Sequence, residues 1–138
     1  MAYVTSSEVI ARLGGTDAAT KLTTETGSTP DTDLIDDFIA EVEAEVLAAI
    51  RARTTATITE ADYPYTWALV RGKVFAMVCY CIRGRRPPVP AECKSLNERA
   101  TQWLDRLVEG KIDLPDTALN EPDLEYGGED QNAAADRG

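Results

Sequence analysis

The chain has 138 residues, 24 acidic and 14 basic, no histidine, and a formal net charge of −10. That length makes one domain with enough chain to bury a core without disulfide or metal staples. The missing histidine removes the commonest general base and metal ligand, so no enzyme and no metal or cofactor site is expected, and the charge disfavours non-specific nucleic-acid binding.

The charge is uneven. From residue 113 onward eight acids stand against Arg137 alone, so this stretch carries −7 while residues 1–112 carry −3. The expected organisation is a helical domain over 1–112 and an acidic C-terminal tail over 113–138. No apolar run approaches the ~20 residues needed to cross a bilayer. The opening MAYVTSSEV has neither the basic nor the apolar region of a secretory leader. A chain without membrane contact, made in the cytoplasm of the producing cell, is expected. Cys79, Cys81 and Cys93 form an odd set, which argues against a disulfide framework. On a helix Cys79 and Cys81 would stand about 200° apart and face opposite ways. They read as small buried hydrophobes.

Four helices are predicted. The first begins after Thr5, because Thr5-Ser6-Ser7-Glu8 has the pattern of a reciprocal cap flanked by Val4 and Val9. Gly14-Gly15 ends it. Residues 16–29 are Thr-rich and read as a loop with a short turn around 18–22. Pro30 is placed at the first position of the second helix, capped by Thr29. Asp31, Asp33, Asp36 and Asp37 suit the positive end of that helix. Ile35, Phe38, Ile39, Val42, Val46, Ala49 and Ile50 form one apolar stripe, and Arg51 and Arg53 close the negative end. Residues 54–63 are either a short extended segment or a loop. The third helix covers 64–83 with Pro64 at its start. Trp67, Val70, Val74, Met77, Val78 and Cys81 share a face, while Leu69, Phe75, Cys79, Tyr80 and Ile82 extend the apolar surface around most of the circumference. Such a helix is buried on several sides. Phe75 and Tyr80 are therefore candidates for a lateral interface between subunits, or else part of the core. The stretch RGRRPPVP stops this helix. The fourth helix runs from Pro90 to Glu109 with Leu96, Ala100, Trp103, Leu104 and Leu107 as its stripe, and Gly110 terminates it. The fold class is all-α, a small bundle of about four helices with an extended acidic tail.

Few residues suggest chemistry. Arg83, Arg85 and Arg86 make the only dense basic cluster. It either complements the carboxyl end of the third helix or forms an ion-pairing patch for an acidic partner or for the acidic tail of a neighbour. Asp36, Asp37, Glu41, Glu43 and Glu45 crowd one helix, but without histidine or a second carboxylate stripe they read as a solvated face. No GxxxxGK[ST], GxGxxG or GxSxG pattern occurs. In the tail, Leu114, Pro115, Leu119, Leu124 and Tyr126 lie among acids. The tail is either disordered or an arm that orders on a partner, with these residues as anchors and the acids setting register.

Several features carry a resemblance. The stub Ala2-Tyr3-Val4-Thr5 precedes a short helix, the second helix starts acidic, and the third has a proline at its start. The last helix ends as Trp103-Leu104 … Gly110-Lys111-Ile112-x-Leu114-Pro115. Over residues 2–115 the chain resembles the head-to-tail connector (adaptor, or head completion) family of Mu-like tailed phages. The Thr-rich stretches 16–29 and 54–63 depart from that pattern, and the acidic extension beyond Pro115 looks longer than usual. The resemblance implies a structural virion protein at the neck of the particle. It would form a ring, commonly of twelve subunits, beneath the portal protein and line part of the DNA channel. Its implied partners are the portal, a stopper or tail-completion protein, copies of itself, and double-stranded DNA passing without sequence-specific contact. A small acidic regulatory module, an inhibitor or nucleic-acid mimic, is the alternative.

Overall fold

Thr5 opens the first helix as its sequence predicts. In the computed structural model, which describes residues 3–116, α1 spans Ser6–Arg12. The Thr5 hydroxyl accepts from the Glu8 amide, and the Glu8 carboxylate accepts from the Thr5 amide at 3.0 Å. Gly14 and Gly15 follow with φ of 109° and 106°, a backbone region that side chains with a Cβ rarely enter. Their amides bond back to the carbonyls of Ala11 and Ile10, the paired closure of a glycine-terminated helix.

A second short helix, α2, follows at once over Thr16–Thr23. The Thr-rich stretch expected to be a loop with one turn is thus largely helical, and the helices number five. Threonine is a mediocre helix former, but Thr20 and Thr23 bond their hydroxyls to the carbonyls of Thr16 and Ala19. Ala19 is fully buried, so packing outweighs propensity. The Thr23 hydroxyl also accepts from the Asp31 amide at 2.9 Å, which joins the end of α2 to the next helix. That helix, α3, spans Thr32–Arg51 with Asp31 as its cap, accepting from the Leu34 amide at 3.1 Å. The start expected at Pro30 is corrected by two residues: an aspartate cap bonds an otherwise orphaned amide, which Thr29 does not do here.

Residues 54–63 form a loop of turns, and α4 spans Pro64–Arg83, as predicted. The last helix, α5, covers Ala91–Val108. Gly110 turns the chain at φ 79°, and the amides of Gly110 and Lys111 bond to the carbonyls of Leu107 and Arg106. The described residues contain no strand. The all-α expectation is met.

The core lies where α4 packs between α3 and α5, with α1 closing over α3 and α4 and α2 against α1 and α4. Ile35, Val46 and Ile50 of α3 meet Val70, Val74, Val78 and Ile82 of α4 and Leu107 of α5, all essentially without solvent contact. Each such side chain contributes on the order of 1.5–3 kcal/mol relative to exposure. Leu96, predicted for the α5 stripe, is instead 43% exposed, because that end of α5 leaves a groove against α4.

Candidate functional site

Past α5 the chain turns and docks on the body. Leu114 is buried, 3% exposed, although it falls in the stretch assigned to the tail. Two long-range contacts hold it there. Arg53, itself buried, donates through Nη1 to the carbonyls of Leu107 at 2.7 Å and Ile112 at 3.2 Å, and its Nη2 lies 3.6 Å from the Asp113 carboxylate. Arg53 therefore serves the carboxyl end of α5, not that of its own helix; Arg51 stays local, donating to the Thr55 carbonyl. At the other end, Asp116 caps α4 from fifty residues away. Its carboxylate accepts from the amides of Tyr65 at 2.9 Å and Thr66 at 3.1 Å, and from the buried Thr66 hydroxyl. The first turn of α4 has no acid of its own. Desolvation pushes the Asp116 carboxyl up, but the Thr66 hydroxyl and the two amides outweigh it and hold it below the usual carboxylate range. Residues 113–116 thus pack against the body.

The amino-terminal stub is fixed in a similar way. The Glu43 carboxylate accepts from the amides of Tyr3 and Val4, and the Tyr3 ring rests on Trp67 with centroids 4.5 Å apart. Glu8 also pairs with Arg71. The Thr5 amide bond, with help from Arg71, holds the Glu8 carboxyl below its ordinary value. The Arg12 and Arg71 guanidiniums lie 4.2 and 4.8 Å from the centre of the Phe75 ring.

Phe75 is 2% exposed, so in the single chain it is a core residue. Tyr80 is half-buried. The arginine cluster divides. Arg85 donates to the carbonyl of Leu22 at 2.7 Å and Arg86 to that of Lys21 at 3.2 Å. They serve the carboxyl end of α2, where cations are favoured, rather than that of the predicted third helix. Arg83 instead reaches a groove between α4 and α5. Two adjoining clefts, of about 350 and 250 Å³, share Gly72, Ala76 and Leu96. Arg12 and Arg83 border the first, and Lys73 and Arg99 the second. Burial, and then the neighbouring Arg99, lower the Lys73 ammonium below its usual range. Burial pushes the Cys79 thiol up to about 11. Of the predicted arm, Pro115 is exposed, and Leu119, Leu124 and Tyr126 lie outside the described residues.

The α3 carboxylates Asp36, Asp37, Glu41 and Glu45 are exposed, and among the described residues no group of three or more Cys, Asp or Glu is placed to hold a metal ion. No described helix is long and apolar enough to cross a membrane. Sequence reasoning missed Arg53 and Asp116, whose partners are some fifty residues distant. The one local hint was a proline-started helix lacking an acid in its first turn.

The sequence model of the family described as Bacteriophage Mu, Gp36 matches residues 3–131. The chain belongs to the Bacteriophage Mu Gp36 family. No curated protein matches it. The Gp36 match includes the stub that Glu43 holds, all five helices, and the docked segment through Asp116. It then continues to residue 131, so Glu121, Asp123, Glu125, Glu129 and Asp130 fall inside the Gp36 pattern. An acidic stretch read as a departure from the family is part of what the family model covers.

Proposed function

We propose that this Gp36-family chain is a structural virion protein, a head-to-tail connector that forms a ring beneath the portal and lines part of the DNA channel. The observation that carries the reading is the family match over 3–131. Three physical features support it. The body is a helical core whose two ends are tied down by side-chain contacts spanning forty to sixty residues, as a load-carrying subunit requires. The root of the C-terminal arm is fixed at Leu114 and Asp116. A net charge of −10 per subunit repels phosphate, so a duplex passing a ring of such subunits slides without sticking.

In this role the chain performs no chemical step. It bridges the portal to a stopper or tail-completion protein and to its own copies, in a ring whose subunit number follows the portal's symmetry. Particles produced without this chain are expected to accumulate heads separated from tails, with joining restored when the chain is supplied in trans. Tailed particles formed in its absence would overturn the proposal and favour an acidic regulatory module.

A further inference from the structure

We infer that the groove between α4 and α5 is the docking site for the acidic segment 117–130 of the same chain. The groove is a continuous trough. Ala68, Gly72 and Ala76 of α4 lie along it, with Leu96 of α5 on the other side. Leu96 is among the most exposed large hydrophobics of the body. Nothing lies within 4 Å of the position a Cβ would take on Gly72. Glycine is a poor helix former, and no packing among the described residues requires one in the middle of a twenty-residue helix. A segment lying against the helix would make use of the open space.

The charges select the occupant. α4 carries Arg71, Lys73 and Arg83 and no acid. Arg12, Lys73, Arg83 and Arg99 border the trough, Glu92 is the one acid lining it, and among the described residues none of those four cations is in an ion pair. In a chain with a ten-charge acidic excess this is a surface lacking its counter-charge. Residues 117–130 supply five acids and no base, with Leu119, Leu124 and Tyr126 interspersed as apolar anchors.

Reach favours the chain's own segment over a neighbour's. Asp116 is held at the amino end of α4 by Tyr65 and Thr66, about one turn from Ala68. From Ala68 to Arg83 the helix rises about 22 Å. Ten extended residues after Asp116 span about 33 Å, so Tyr126 reaches the Arg83 end. Tethering also gives an effective concentration on the order of millimolar, which keeps even a weak site filled.

The test is photo-crosslinking in the full-length chain, with a benzophenone amino acid in place of Tyr126 and the products mapped by mass spectrometry. Expected are crosslinks within one chain to peptides containing Ala76, Cys79 or Cys93, which line the Arg83 end of the groove. Their yield should fall several-fold in 1 M salt and in the double variant Arg83→Glu, Arg99→Glu, because screening and charge reversal remove the attraction. Gly72→Leu, which projects into open space, should fold as the parent does and lower the yield to a similar extent. Crosslinks between chains, crosslinks to other surfaces, or a yield indifferent to both salt and Gly72→Leu would each overturn the inference.

Discussion

Arg53→Met tests the view that buried hydrogen bonds, rather than the ion pair, hold the C-terminal segment. The substitution keeps the aliphatic stem, which packs on its own account, and removes the guanidinium. Two bonds from a charged donor to the carbonyls of Leu107 and Ile112 are lost, each contributing about 1.5–3 kcal/mol. Removing a buried charge returns part of that, leaving a net loss of about 3 kcal/mol. With an unfolding entropy of about 2.1 cal/mol/K per residue over the described body, the melting temperature should drop by about 12 °C. Asp113, the other partner, has a side chain 81% exposed and lies 3.6 Å from Nη2. A pair of that kind contributes at most about 1 kcal/mol, so Asp113→Asn should cost only a few degrees. Thermal and urea melts followed by circular dichroism measure both variants. Trypsin should also cleave after Lys111 faster in Arg53→Met, because the segment behind it has lost its anchor. A shift under about 3 °C for Arg53→Met, or an equal shift for Asp113→Asn, would refute the reasoning.

Three further outcomes are expected. Phe75→Ala should destabilise the isolated chain by about 3 kcal/mol in urea melts, since the ring is buried; a folded, equally stable monomer would show that the ring is not a core group. Asp116→Asn should melt below the parent at pH 7, with the gap closing as pH falls. The carboxyl's folded value is lowered, so its stabilisation is present above the unfolded value of about 3.9 and is lost as pH drops through the folded one; a gap that does not change with pH would contradict this. N-ethylmaleimide at pH 8 should modify Cys93 before Cys79, whose thiol is pushed up to about 11 by burial, as mass spectrometry of the modified peptides would reveal.

Local signals carried much of the fold. The Thr5–Glu8 cap, the glycines that close α1 and α5, the 64–83 helix and the α3 stripe all depend on residues within a few positions of one another, and each appears where its pattern places it. What escaped depends on tertiary contacts. α2 forms from threonines because Ala19 finds a buried place against its neighbours. Arg53 looked like a helix-closing cation and instead crosses to α5. Asp116 looked like one more tail acid and instead caps α4. The arginine cluster was visible, but its division between α2 and the groove follows from how α2 and α5 pack around α4, which no spacing in the sequence encodes.

The most direct measurement is electron microscopy of this chain co-produced with the portal protein of the same phage. The connector account predicts portal rings carrying an additional ring of this protein on one face, in register with the portal's symmetry. Portal rings left bare at moderate salt, with this chain eluting separately, would contradict it.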